Sequence, residues 1–359
     1  MSERVLIQPH LLSPGPIPIA FERSAASQND YADLRRRLSQ RGLFERQYRY
    51  YAIQALFTVG LLSATLVLLL AAEALWLKLL AAVLLAFVFT QIGYIGHDAG
   101  HRQIFARPWQ DDLVLLTVGL LLGISRSWWF DSHNLHHSDP NDLRRDPHTA
   151  LPALAFSEDQ ARAKRGIARS LTRFQAVYFF PMLLLQGLGM RIASVGIVAG
   201  GKARYPRAEA VGIFVHFLLY AGLLLSALSL WQIGLFVVIH QGLMGLYMGS
   251  VFAPNHKGML IVGSDCELDF LRRQVLTTRN VKPHPLTDIW CGGLNYQVEH
   301  HLFPNLPRNK LKEARPIVMA FCNEHSIPYY ETGLLQSYAE VTRYLHAAAA
   351  PLRSARTRT

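Results

Sequence analysis

The sequence predicts an all-α, polytopic membrane protein. Four spanning helices form two hairpins, and a helical cap on one side carries a histidine-rich metal site. Three observations predict this. Hydrophobic residues make up 51% of the chain and charged residues only 17%, below the roughly 25% of an average soluble domain. The apolar residues are bunched into long runs, with the basic residues placed around them. Finally, seven of the fifteen histidines fall in three short clusters.

A chain of 359 residues accommodates two soluble domains or one polytopic membrane domain, and the composition favours the second. Residues 1–30 have no clear period and contain Pro14, Pro16 and Pro18, so a loose arm is expected. The start lacks the apolar core after a basic segment that marks a cleavable signal. Residues 31–50 carry Arg35, Arg36, Arg37, Arg41, Arg46 and Arg49, the pattern of a basic amphipathic helix lying on a membrane surface. The uncharged run 51–72 is long enough to span, since about 20 apolar residues cross a bilayer core. Glu73 and Lys78 flank a tight turn, and 76–94 forms a second span with Trp76 and Tyr94 at interfacial positions. Leu113–Ile124 is apolar but only about 12 residues long, a length more often seen in re-entrant, interfacial or core helices than in spans. Phe174–Gly189 is longer, yet Pro181, Gln186 and the following Arg191 favour a helix lying in the interface. Residues 211–230 and 231–252 form the second hairpin.

Arginine placement sets the expected topology. Arg35 to Arg49 precede the first span, Arg102 to Arg173 and Arg191 to Arg207 lie between spans two and three, and residues from Arg272 onward follow span four. Two hairpins put every basic segment on the cytoplasmic side, as the positive-inside rule requires. The chain then divides into an N-terminal arm and interfacial helix (1–50), a membrane domain (51–307, with the cap from 95–210 and 253–307) and a C-terminal helical segment and tail (308–359). Both termini and the histidine clusters would be cytoplasmic. The net charge of +11 fits this topology and contact with anionic headgroups. The basic residues form no recognisable nucleic-acid-binding module. Cys266, Cys291 and Cys322 contain no CxxC pair and point to a reducing compartment.

The clusters are His97-Asp-Ala-Gly-His101, His133-Asn-Leu-His136-His137 and Gln297-Val-Glu-His300-His301. Residues three and four apart share a helix face, so each cluster aims two or three side-chain donors at one point. The first continues span two. The last follows Gly292, Gly293 and Asn295 and ends before Pro304. Imidazole suits iron, zinc, copper and nickel. Seven histidines exceed the needs of one ion, and two ions are the natural count. Asp98 and Glu299 lie off the ligand faces and are better placed to accept the far N–H of a ligating imidazole. His256, in Pro254-Asn-His-Lys-Gly258, is a further candidate ligand, with Asn255 positioned to orient it or hold a water. His10, His216, His325 and His346 are not expected to ligate, and His148, His240 and His284 are open.

HDAGH, HNLHH and QVEHHLFP, in this order around two membrane hairpins, closely resemble the membrane fatty-acid desaturases from about Tyr51 to Pro307. Glutamine at 297, where other members carry histidine, resembles the linoleoyl-type and front-end branch. HDAGHRQ and NHKGM resemble bacterial members, which implies a bacterial plasma membrane. The resemblance implies a non-heme di-iron enzyme that uses O2 to place a cis double bond in an acyl chain carried as acyl-CoA or acyl-lipid. It implies iron ligands at His97, His101, His133, His136, His137, His256, His300 and His301, with Gln297 departing from an all-histidine third box. No His-Pro-Gly-Gly heme motif is present, so a separate electron donor is expected, of ferredoxin, flavin/iron–sulfur reductase or cytochrome b5 type.

An unactivated methylene has no acidic proton, so a metal oxidant must do the work, and an apolar tunnel would measure the chain. Tyr94, Trp128, Trp129, Tyr247 and Phe252 are candidate lining residues. Arg102, Arg126, Arg144, Arg145 and Lys257 are candidates for a headgroup site, although positive-inside charge explains them as well. Three rival readings remain at this point. A lipid hydroxylase or ketolase would use the same scaffold. A metal transporter or sensor would place ionisable groups inside the spans near the midplane, where the four spans carry almost none, His216 and His240 being the exceptions. A zinc protease would show HExxH, which is absent.

Overall fold

The computed structural model describes residues 26–263 and 268–354. The expected N-terminal arm up to residue 25, His10, Cys266 and the last five residues lie outside this range. The described residues are mostly helical, with one two-stranded parallel pair, Asn280–Val281 with Glu331–Thr332. Two compact units emerge. The first comprises the chain up to Phe44, His133–Phe179 and Val251 onward; the second comprises Glu45–Ser132 and Phe180–Ser250.

The second unit holds the apolar helices. Tyr48–Ala71, Leu75–Gly100, Pro206–Ala227 and Leu230–His256 are each long and apolar enough to cross a membrane. The last of these ends in the first unit. They occupy the four predicted runs with boundaries moved by a few residues. Leu75–Gly100 carries the first histidine cluster in its final turns, as expected for a helix that continues out of a span. Leu230–His256 runs through Pro254 to His256, so His256 terminates the fourth helix instead of following it. Lys78 Nζ donates to the Ala227 carbonyl at 2.6 Å and ties the two tight turns together.

Two local expectations are corrected, and the short apolar run is given its bounds. The basic helix expected over 31–50 is Ala26–Gln40, followed by a turn and then the first apolar helix. Its apolar face is covered by protein, because Leu34 and Leu38 are fully buried in a core with Leu271, Val275, Leu302, Phe303, Val318 and Phe321. The short apolar run is a helix, Pro108–Leu122, packed on both Leu75–Gly100 and Pro206–Ala227. The chain then bends by 111° into Arg126–Ser138. Gly123 makes that bend: its φ is +68°, and a Cβ there would lie 2.5 Å from His216 Cδ2. Last, Phe174–Gly189 is not one interfacial helix. Gln175–Leu183 and Gln186–Ala199 meet at 72°, and Arg191 is buried. Beyond Pro181 the helix tightens to three-residue hydrogen bonds, Leu184 N–H to the Pro181 carbonyl and Leu185 N–H to the Met182 carbonyl, and then breaks.

Glu209 fixes the 111° bend after Gly123 from within. Its carboxylate accepts from the Ser125 hydroxyl, from Ser127 N–H at 3.0 Å, from the Ser127 hydroxyl at 2.6 Å and from Tyr205 N–H at 3.2 Å. Each buried donor left unsatisfied costs about 1–3 kcal/mol. Glu209→Ala is therefore expected to lower stability by at least about 3 kcal/mol, read by thermal unfolding of the detergent-solubilised protein. Glu209→Gln should lose less, and an unchanged melting temperature in the alanine variant would contradict the account.

Candidate metal centre

In the first unit, the helix Arg126–Ser138 delivers His133, His136 and His137, the six-residue helix Gln297–Leu302 delivers Gln297, His300 and His301, and the end of Leu230–His256 delivers His256. All seven side chains are buried. The third-box helix shows how spacing sorts the residues. Val298 and Leu302 point into the apolar core, and Glu299 meets Asn280 and Tyr329. Gln297, His300 and His301 share the remaining face. Asn280 braces this short helix twice, accepting from Val298 N–H at 2.8 Å and donating to Glu299 Oε2 at 2.7 Å. Burial pushes the Glu299 carboxyl up, against the hydrogen bonds from Asn280 and Tyr329.

The donors gather at two points. The ring nitrogens of His133, His137 and His300 lie within 4.8 Å of one another, with His133 Nε2 and His137 Nε2 at 3.1 Å. Those of His136, His256 and His301 form the second group.

The tautomers of the second group follow from their outer partners. His136 Nδ1 lies 2.9 Å from the Asp146 carboxylate, and His256 Nδ1 lies 3.2 Å from the Thr277 carbonyl. Neither partner can donate, so both Nδ1 atoms carry the proton. His301 Nδ1 lies 3.0 Å from Gln274 Oε1. That amide orientation is fixed because Gln274 Nε2 donates to the His137 carbonyl at 2.8 Å, so His301 also donates from Nδ1. Three Nε2 lone pairs are left facing inward, and those of His136 and His256 approach to 3.2 Å. Lone pairs so close repel unless a cation lies among them, and imidazoles with the far N–H on an acceptor are the usual form of metal-binding histidine. The donor set therefore fits a metal.

A loop after the second box holds these parts in register. Asn141, in the left-handed region at φ 57°, donates from Nδ2 to the carbonyls of His256, Leu260 and Thr277 at 3.0, 3.1 and 3.2 Å. Asp146 accepts from Asn141 N–H and His148 N–H, each at 2.9 Å. Burial acts to raise the Asp146 carboxyl, but His136, His148 and Lys257 outweigh it and hold it well below the usual carboxylate range.

Gln297 is held as a donor. Asn255 Nδ2, which also reaches the Val251 and Leu294 carbonyls, donates to Gln297 Oε1 at 3.1 Å. Gln297 Nε2 lies 3.2 Å from His256 Nε2. Asn255 thus orients Gln297 and not His256, correcting the expectation. Glu299, expected to accept from an imidazole, accepts from Asn280 and Tyr329 instead. His284 caps Pro285–Trp290 by accepting from Leu286 N–H. His148, exposed, stacks on His136 at 4.4 Å, and its donor lies within 4.8 Å of those of His136 and Asp146.

In the second unit His97 and His101 come together with ring centroids 4.7 Å apart. Asp98 Oδ1 lies 3.3 Å from His97 Nδ1. Trp129 packs edge-on to both rings at 5.8 and 5.7 Å. Gly100, inside the first box, makes room for it, since a Cβ there would fall 1.8 Å from the indole. Tyr94 and Tyr247 are buried and meet edge-to-face at 6.5 Å, with Gln91 Nε2 donating to the Tyr247 hydroxyl. Trp128 and Trp129 are half-buried in this unit and Phe252 in the first. Two of the candidate headgroup cations are already engaged: Arg102 and Arg126 both pair with Asp112, at 2.9 and 2.7 Å, and Arg126 is buried. Arg144 and Arg145 are exposed, and Lys257 donates to the His148 carbonyl.

Asp146, Gln274, Thr277 and Asn141 escaped the sequence reading. They sit outside any helical register with the ligands they serve. Only Asp146-Pro-His148, which reads as a turn, carried a local signal.

A family model described as fatty acid desaturase matches residues 73–333, a stretch that includes all three clusters. The chain is similar to an acyl-lipid (9-3)-desaturase of Physcomitrium patens, 27% identical over 333 residues, which cover 89% of this chain and 62% of that protein. It is 30% identical over 341 residues to a Delta(8)-fatty-acid desaturase of Arabidopsis thaliana, covering 91% of this chain and 76% of the relative. A Delta(6)-fatty-acid desaturase of Caenorhabditis elegans is 30% identical over 342 residues, covering 89% and 76%. The chain belongs to the fatty acid desaturase family.

Proposed function

We propose that this protein is a membrane desaturase that places a cis double bond in the acyl chain of an acyl-CoA or acyl-lipid. The observation that carries the reading is the second histidine group, with three Nδ1–H donors fixed outward and three lone pairs turned inward. The positions in the relatives' names favour reaction toward the carboxyl end of the chain. His136, His256 and His301 would hold one iron. His133, His137 and His300 would hold another, with His97 and His101 as further ligands by the three-box pattern. Iron, when bound, supplies O2 activation and the one-electron chemistry that breaks an unactivated C–H bond; zinc, with no redox chemistry, does not.

The balance is two hydrogens from adjacent methylenes, O2, two electrons and two protons, giving the alkene and two waters. The electrons would come from a ferredoxin, flavin/iron–sulfur reductase or cytochrome b5 type donor. Asp146, Gln274 and the Thr277 carbonyl keep the imidazoles in the metal-binding tautomer. Asn141 holds the loop that carries Asp146 against the end of the fourth helix. Tyr94, Trp128, Trp129, Tyr247 and Phe252 remain proposed chain-lining residues. The four apolar helices would cross the membrane as two hairpins, with both termini and the cap cytoplasmic.

Expression in a host of known lipid composition, followed by mass spectrometric localisation of double bonds, tests the reading. A new unsaturated acyl chain is expected, and recovery of hydroxylated or keto lipid alone would refute it. Gln297 gives a finer test. Because it is turned to present N–H and not a lone pair, Gln297→Ala should retain two metal ions per chain, with affinity lowered by less than about tenfold. Loss of half the metal would make Gln297 a ligand.

A further inference from the structure

The second unit contains a polar cluster that the histidine boxes do not use. Arg191, His240 and His216 are buried there, at 6%, 0% and 5% exposure. Arg191 Nη1 donates to Gln241 Oε1 at 2.5 Å and to the Gly187 carbonyl at 3.3 Å. Neither partner is charged. The guanidinium fixes the orientation of the Gln241 amide, whose Nε2 is then turned to His240 Nδ1 at 3.1 Å. The Tyr220 hydroxyl lies 2.7 Å from the same Nδ1. An amide N–H can only donate, so His240 Nδ1 accepts and its proton sits on Nε2. That leaves two buried donors, His240 Nε2–H and Arg191 Nη2–H, with no hydrogen-bond partner among the described residues. His216 is otherwise engaged, with the carbonyls of Leu120 and Leu121.

Both unsatisfied groups donate, and one carries a permanent charge. The missing partner is therefore an acceptor, and a negative one neutralises the guanidinium as well. Depth sharpens its chemistry. At 1.5 Å per residue, Tyr220 is about 10 Å along its helix from Ala227 and Gln241 about 16 Å from Leu230. Those two helix ends meet in the tight turn, so the cluster falls near the middle of a hydrocarbon core roughly 30 Å thick. An uncompensated charge at that depth is costly, and such residues are paired. The molecules that bring an oxyanion into such a place are lipids.

We propose that Arg191 and His240 form a binding site for the oxyanion of a lipid, a fatty carboxylate or a phosphodiester, within the membrane-spanning unit. The site rests on the membrane reading of these helices and is independent of the metal centre. Full-length protein in neutral-lipid nanodiscs would be titrated with [1-13C]oleate, with dioleoylphosphatidylglycerol and with oleyl alcohol as the uncharged control. Bound lipid is read by native mass spectrometry, and the carboxylate stretch of the labelled oleate by infrared difference spectroscopy. Wild-type protein should hold at least one of the two anions tenfold or more tightly than the alcohol. Arg191→Met and His240→Phe should each remove that preference, and His240→Phe should abolish the shifted carboxylate band.

Preference for oleate alone identifies the carboxylate, and preference for phosphatidylglycerol alone the phosphodiester. If Arg191→Met does not fold, His240→Phe, which keeps a ring of similar size, decides the matter. Equal binding of an anion by His240→Phe and wild type would overturn the proposal, as would a wild-type protein without preference for either anion. Release of wild-type protein from membranes by alkaline carbonate would instead refute the membrane reading, a result separable from the titration.

Discussion

Alanine at His136 is expected to eliminate desaturated product and to reduce bound metal from two ions per chain towards one. This imidazole has a full negative charge behind it. Its Nδ1 rests on Asp146 at 2.9 Å and its Nε2 faces His256 Nε2 at 3.2 Å. Its loss removes a ligand and leaves the Asp146 carboxylate buried beside an empty volume. Disturbing a residue behind a ligand costs about 10–100-fold, so removing the ligand itself should exceed the upper end of that range. The fold should survive, because the apolar core of this unit is built from Leu34, Leu38, Val298, Leu302, Val318 and Phe321, to which His136 does not belong. The test pairs acyl-chain analysis of an expressing host with metal quantification on purified protein. His148→Ala is the control: it removes an exposed ring stacked on His136 and should leave two ions per chain. Wild-type activity in His136→Ala would dismiss the ligand assignment, whereas lost activity with two ions still bound would shift its role from metal binding to chemistry.

What the sequence revealed and what it hid have physical causes. The apolar helices were legible because a helix long and apolar enough to cross a membrane is one continuous run in the chain. The boxes were legible because helical spacing is written directly into sequence, and the third box shows this in miniature: positions 297, 300 and 301 share one face while 298 and 302 face the core. The supporting residues obey no such rule. Gln274 reaches His301 across 27 positions and Asn141 reaches Thr277 across 136, distances at which sequence carries no periodic trace. The basic N-terminal helix was misjudged for a related reason. An amphipathic helix with arginines on one face reads alike whether its apolar face meets lipid or protein, and here Leu34 and Leu38 meet protein. Arg191 was misjudged because a charged residue near an apolar run defaults to the surface, and only the amide of Gln241, 50 positions away, shows where it goes.

Asp146→Asn is expected to weaken metal binding or activity by about 10–100-fold while leaving the helices in place. The carboxylate does three things at once. It accepts from His136 Nδ1–H, it accepts from the N–H groups of Asn141 and His148, and it supplies the negative charge that makes the imidazole a better donor to a cation. Asparagine keeps the shape but exchanges one acceptor oxygen for an NH2 group. Either that NH2 takes the Oδ1 position and faces His148 N–H, donor against donor, or it takes the Oδ2 position, faces Asn141 N–H and His136 together, and drives the His136 proton from Nδ1 to Nε2. In the second case the inward lone pair is lost, and with it the ligand. The two outcomes separate experimentally. A tautomer change appears as a displaced 15N resonance of the labelled His136 ring in metal-free protein, together with weakened metal binding. A purely structural disturbance would instead lower the melting temperature and leave the tautomer unchanged. Asp146→Glu retains the charge but lengthens the side chain, so it should recover part of the metal affinity if charge dominates and none if the loop geometry around Asn141 dominates. An Asp146→Asn protein with unaltered metal affinity and activity would show that the His136 tautomer is set elsewhere.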